Sequence, residues 1–308
     1  MFMKREVKDF IALCKKSEEE LKWYLKARLK DFGYEVVDEV GFLYAKGKGD
    51  EGEILVTAHM DTVHKEVCRK VYVNKKKGKT IIKSPQGIGG DDRCGVYIIL
   101  RLLENGHRPS VLFCEEEEKG GIGSGFFCET KYIDEVAEMR FAIELDRANA
   151  NDAVYYDDDN EEFKDAVYKA TGYVEEWGSF SDISVVCPSA GISGVNLSCG
   201  YYKAHTVKEY VVFEEMENTI KATEKLLKVK EGFKYTPVIW DTSYGTGYNY
   251  YGYSKTYKDG CEVEFMYLTD EGKEGWYSCV GDSFTECVGQ FLMDTDAKWS
   301  DVLDWYEY

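Results

Sequence analysis

Along the first 230 residues, short apolar runs closed by polar or glycine-rich segments alternate with stretches at helical spacing. Residues 6–32 read as helix, with Ser17 and Glu20 forming a Ser-x-x-Glu capping box that restarts the pattern and Gly33 closing it. Strand-like runs follow at 34–37, 42–46, 54–58, 70–73 and 80–83. A helix is predicted over 95–105, core strands over 111–114 and 141–145, and further helices over 161–171 and 214–229, with strands at 153–156 and 192–197 between them. Such alternation predicts an α/β layered domain with a largely parallel central sheet, whose ligands belong at the carboxyl ends of the strands. After residue 232 the texture changes. Residues 243–257 are Tyr/Gly-rich without a clean period, 261–268 alternate like a strand after an Asp259-Gly260 turn, 276–280 are a partner for that strand, and 299–305 read as a closing helix. The expected organisation is a catalytic domain over 1–232, a linker over 233–258 and a small β-rich appendage over 259–308.

The balance of 39 basic and 57 acidic side chains, a formal charge of -18 in 308 residues, argues against a nucleic-acid partner and against an anionic membrane surface. No run approaches the roughly 18 apolar residues of a spanning helix, and the charged first residues hold no leader-like apolar core. Ten cysteines without a C-x-x-C pair, several of them inside apolar runs, fit a reduced, cytoplasmic chain.

Chemistry concentrates where the core strands end. His59 closes the run 54–58, and Asp61, two residues on, is placed to orient its imidazole. Asp91 follows the turn Gly87-Ile88-Gly89-Gly90 and precedes a helix; a carboxylate there can bridge two cations, while Asp92 caps the helix. The four glutamates 115–118 follow an apolar strand and precede Gly120-Gly121, so a strand delivers them into a tight turn. Adjacent carboxylates suit hydrolysis, one binding metal while its neighbour takes a proton from water. Asp146 and His205 supply one further carboxylate and one further imidazole, whereas His64 and His107 read as surface residues. Imidazole in the set favours zinc over magnesium or calcium. Neither a Gly-x-Ser-x-Gly elbow nor a His-Glu-x-x-His helix is present.

Taken together, His59-x-Asp61-x-Val63, Asp91-Asp92-Arg93-x-Gly95, Glu117-Glu118-Lys119-Gly120, Leu145-Asp146 and His205 resemble the co-catalytic dizinc exopeptidases, a superfamily of aminopeptidases, tripeptidases, glutamate carboxypeptidases and deacylases. The resemblance covers roughly residues 1–230 and implies a three-layer fold with a mostly parallel mixed sheet. It implies that Asp91 bridges two Zn2+ ions (Co2+ or Mn2+ as substitutes), that His59 and Asp146 complete one site, and that Glu118 and His205 complete the other. Glu117 is then the general base and the Asp91–Asp92 peptide is cis. Intervals of about 32 residues from His59 to Asp91 and 59 from Asp146 to His205 leave no room for the inserted lid domain of many relatives, so the chain resembles a minimal catalytic core. Asp182 is a candidate for binding a free substrate amine. The implied activity is hydrolysis of small peptides, as an aminopeptidase or tripeptidase; the alternatives are an N-acyl amino acid deacylase or carboxypeptidase on the same metals, and an inactive binding protein. A homo-oligomer is compatible with this, and the tyrosine-rich tail is expected at the active-site mouth or in a subunit contact.

Overall fold

Ser17 accepts the Glu20 amide at 3.1 Å and Glu20 accepts the Ser17 amide at 3.0 Å, so the sequence's capping box divides the first helical stretch in two. The structure, a computed structural model, describes residues 4–238 and the backbone of three later strands, 261–268, 274–281 and 302–307. The opening elements are α1 (Arg5–Cys14), α2 (Glu18–Asp31), β1 (Val37–Glu39), β2 (Phe42–Ala45) and β3 (Ile54–His59). A hairpin, β4 (Tyr72–Lys76) and β5 (Lys79–Lys83), leads to α3 (Gly90–Glu104) and β6 (Ser110–Cys114). Next come α4 (Ile122–Cys128), α5 (Tyr132–Ala137), β7 (Phe141–Arg147), β8 (Asp152–Val154), α6 (Glu161–Thr171) and β9 (Val174–Glu175). The unit ends with α7 (Ile183–Ala190), β10 (Gly194–Ser198), β11 (Tyr201–Tyr202), β12 (Tyr210–Val212) and α8 (Phe213–Leu226).

Eight strands form one mixed sheet in the order β1-β2-β6-β3-β7-β10-β8-β9, parallel across its centre from β6 to β10. Alternation along each central strand feeds two cores. Ile54, Val56 and Ala58 of β3, with Val111 and Phe113 of β6, face a layer that includes α1, α2, α3, α6 and α8. Leu55, Leu112 and Ala142 face the other layer, with Phe127 of α4, Val136 of α5 and Val186 of α7. The result is helices on both faces of the sheet, the α/β fold expected from the alternation of elements. Chain order around β3 then positions the site: α3 carries the chain from β3 to β6 on one face, and α4 and α5 return it to β7, on the other side of β3, across the opposite face. Loops diverge at such a switch point and leave a crevice at the carboxyl ends of β6, β3 and β7.

Differences from the sequence reading are local. The strand expected over 34–37 starts only at Val37, because Tyr34 turns inward and donates its hydroxyl to the Pro109 carbonyl at 2.8 Å. Helices α4, α5 and α7 lie in stretches read without helix, and β5 and β12 join β4 and β11 in a separate four-stranded antiparallel sheet. Residues 233–238 stay on the main unit, with Phe233 exchanging backbone hydrogen bonds with Arg140 and Ser193. In the second unit, β13 (Cys261–Leu268) lies between β14 (Glu274–Gly281) and β15 (Val302–Glu307), all antiparallel. The helix expected over 299–305 is therefore replaced by a strand at Val302–Glu307; its β-branched and aromatic residues suit a ladder on β13 better than an isolated turn of helix. The Tyr/Gly-rich stretch 243–257 lies outside the described residues. No helix among the described residues is long and apolar enough to cross a membrane.

Candidate metal centre

β3 ends at His59, fully buried, with its Nδ1 3.0 Å from Asp61 Oδ1. An ionised carboxylate only accepts, so Nδ1 carries the hydrogen and Nε2 faces the crevice. That nitrogen lies 3.1 Å from Asp91 Oδ1, 3.6 Å from Asp146 Oδ1 and 4.0 Å from Glu117 Oε2. On the other side of Asp91, His205 Nε2 lies 3.2 Å from Oδ2 and 3.0 Å from Glu118 Oε2. Two ligand clusters result, His59–Asp91–Asp146 and Asp91–Glu118–His205, and Asp91 belongs to both. The structure thus brings together all five side chains anticipated as ligands: His59 and Asp146 from strand ends, Asp91 from the start of α3, and Glu118 and His205 from the segments after β6 and β11.

Local backbone explains how each is presented. Asp91 follows the left-handed Gly89, and its peptide to Asp92 is cis. Asp92 Oδ1 accepts the Gly95 amide at 2.8 Å, capping the regular part of α3, while its Oδ2 accepts the His59 amide at 3.3 Å. Gly95 is obligatory here, since a Cβ would fall 2.0 Å from the Leu145 carbonyl oxygen. This close approach sets α3 against β7 and so Asp91 against Asp146. Asp61 does more than orient His59: its Oδ1 also accepts the Glu117 amide and its Oδ2 the Glu118 amide, both at 3.1 Å. One carboxylate therefore fixes a strand end and the turn after the neighbouring strand.

Burial in this density of carboxylates shapes the electrostatics. Burial works against charge on His59, yet Asp146 and Asp61 beside it hold its pKa well above the usual imidazole value. Hydrogen bonds to Asp91 and Glu118 raise His205 to about 10. Burial pushes the Glu117 carboxyl well above its ordinary range. Burial also opposes ionisation of Asp61, but the hydrogen bond and charge of His59 and the two amides outweigh it and lower its pKa. Two imidazoles and three carboxylates form a donor set for borderline divalent cations, and the buried Glu118 Oε1 has no hydrogen-bond partner. The residues present fit a metal.

Several contributors were not anticipated. Tyr201 and Ser181 donate their hydroxyls to the two oxygens of Asp146, each at 3.0 Å, and Asn196 brackets its backbone from both sides. Glu209, buried, accepts the Gly89 amide at 2.8 Å and the Asp91 amide at 3.0 Å, and binds His64 Nε2 at 2.9 Å. His64 is therefore not the surface residue expected, and His107 is likewise held, 2.7 Å from Glu51. The only sequence signal for Glu209 was an acid four residues beyond His205; nothing marked Tyr201. Asp182 departs from expectation in the opposite sense. It is fully buried at the start of α7, and burial lifts its pKa to about 6. Its carboxylate is closed to solvent, unlike that of an open amine-binding residue.

Residues 42–179 match the model of Peptidase family M28. The chain carries a metallopeptidase domain. Solved structures of peptidases resemble this chain in fold. Aminopeptidase PepT from Bacillus cereus superposes with a TM-score of 0.58 at 16% identity, over 72% of this chain and 97% of that one. A tripeptidase from Staphylococcus aureus gives 0.56 at 14% identity, over 73% and 97%. The TET1 peptidase of Pyrococcus horikoshii gives 0.50 at 17% identity, over 72% and 98%. No curated protein sequence matches the chain.

Proposed function

We propose that this metallopeptidase is a two-zinc exopeptidase acting on small peptides, most simply as an aminopeptidase or tripeptidase. The observation that carries the reading is the sharing of Asp91 between two clusters, each holding one histidine and one further carboxylate. His59, Asp91 and Asp146 would hold one ion, and Asp91, Glu118 and His205 the other. When bound, such a pair polarises a scissile carbonyl and acidifies water. The chain's own residues do the rest. Asp61 keeps the His59 tautomer and the 117–118 turn in place. Glu117, facing the same crevice as His59, accepts a proton from the attacking water and returns it to the leaving amine. Tyr201 and Ser181 hold Asp146 in one orientation.

The fold likeness to PepT and a tripeptidase supports small peptides as substrates. The TET1 peptidase of Pyrococcus horikoshii can assemble into a tetrahedron or a large octahedral shell, which supports a homo-oligomer here as well. Seven described cysteines are free, in keeping with a reduced, cytoplasmic setting. The domain division is tested by ending the chain after Val238, which keeps the edge contacts of Phe233. The deciding experiment for the activity is a zinc-, cobalt- and manganese-reconstituted screen of aminoacyl-anilides and tripeptides against N-acyl amino acids and C-terminally blocked peptides. Cleavage of free-amine substrates is expected; turnover confined to N-acyl amino acids would assign a deacylase, and turnover needing a free C-terminus but no free amine a carboxypeptidase.

A further inference from the structure

The small antiparallel sheet turns one face to a groove of about 690 Å³, a size that suits a short peptide. Alternation along β4 and β5 puts Tyr72, Lys76 and Lys83 on that face, and Tyr210 of β12 stands opposite Lys83. Lys203 and Lys208, from the loop between β11 and β12, complete the wall. All four lysines are exposed, and none forms an ion pair among the described residues. Lys79, the ladder partner of Lys76 at the far end of the hairpin, instead pairs with Glu215 at 2.5 Å. The one acid in the lining, Glu209, is buried and spends its oxygens on His64 and the Gly89 and Asp91 amides. In a chain of charge -18, four unpaired cations around one concavity run against the overall composition. The loop that carries Lys203 and Lys208 also carries His205, so the groove opens beside the metal centre.

We propose that this groove is a substrate subsite that binds acidic side chains of a peptide, so that the enzyme prefers peptides rich in Asp and Glu. Tyrosine faces contact the peptide backbone and side-chain methylenes, while the lysines supply point charges suited to mobile carboxylates. The proposal rests on the peptidase reading for its substrate, but binding can be measured apart from turnover. Fluorescence anisotropy of a labelled oligoglutamate peptide on the full chain is the primary measurement, with oligolysine, oligoserine and a single-stranded oligonucleotide of equal charge beside it. Oligoglutamate is expected to bind best, to weaken as salt is raised, and to lose about three- to tenfold affinity in K76Q/K83Q. K8Q/K30Q, which removes the same charge from helices α1 and α2, is expected to match the wild type. Equal binding by K76Q/K83Q and wild type overturns the subsite, and so does an oligonucleotide that binds as tightly as oligoglutamate, since the face is then a general polyanion surface. In parallel, KM for acidic tripeptides should lie below that for neutral ones and the difference should shrink in K76Q/K83Q. Selective oligoglutamate binding without hydrolysis of any peptide would support the groove and remove the peptidase reading.

Discussion

Asp61 provides the sharpest test of how the centre is held. Its carboxylate receives three hydrogens, from His59 Nδ1 at 3.0 Å and from the amides of Glu117 and Glu118 at 3.1 Å each. Asp61→Asn preserves shape but offers one accepting oxygen. If that oxygen replaces Oδ1, His59 and Glu117 keep neutral hydrogen bonds and the new amide group meets the Glu118 N–H donor to donor. If it replaces Oδ2, the amide group faces His59, whose Nδ1 must then accept, and Nε2 takes the hydrogen and ceases to be a ligand. The first arrangement is the cheaper. Its loss is one hydrogen bond to a charged acceptor, about 1.5–3 kcal/mol, together with weaker polarisation of the other two. Because the lost contact orients Glu118, the effect should fall on metal affinity, by about 10- to 100-fold. Competition with a chromophoric zinc chelator measures this directly, and circular dichroism checks the fold. Asp61→Ala, which leaves all three donors without an acceptor, should be worse than Asp61→Asn. Wild-type affinity for both zinc equivalents in Asp61→Asn would refute the argument that this carboxylate links the strand end to the glutamate turn.

Glu117→Gln should retain both metals and lose about 10²–10⁴-fold in turnover, whereas Glu118→Gln should lose one equivalent of metal; swapped phenotypes, read by metal analysis beside kcat, would move the base by one position. Removing metal with a chelator should leave the carboxylates around Asp91 uncompensated, and adding zinc at a hundred times its Kd should restore about 2.7 kcal/mol, near 5–10 °C in Tm, an effect that scanning calorimetry would miss only if no site exists. Gly95→Ala should destabilise the domain by about 1–3 kcal/mol, because its Cβ would sit 2.0 Å from the Leu145 carbonyl oxygen, and urea unfolding at an unchanged midpoint would contradict that approach.

What the sequence determined by itself was the chemistry and the frame that delivers it. Short, nearly continuous apolar runs at 54–58, 111–114 and 141–145 marked buried strands, and the polar residues just after them had to lie at strand ends. His59, Glu117, Glu118 and Asp146 were legible as candidates for that reason, and Asp91 and His205 through a glycine-rich turn and a resemblance whose order and spacing agreed with strand context. Local rules likewise held where the interaction is local: the Ser17 box and the Asp92 cap need no partner more than three residues away. Tertiary structure decided whatever depends on distant pairing. Asp182 was a candidate for binding a substrate amine, but the start of α7 is packed so that its side chain is fully buried. Helices α4 and α7 are short and glycine- or serine-containing, and they exist because each has the other and the sheet to bury an apolar side against. Residues 302–307 became a strand because β13 offered a ladder. Glu209 supports Asp91 across 118 residues of chain, and Tyr201 supports Asp146 across 55. No pattern along the sequence encodes such pairs, since they arise only when the fold closes the distance between their elements.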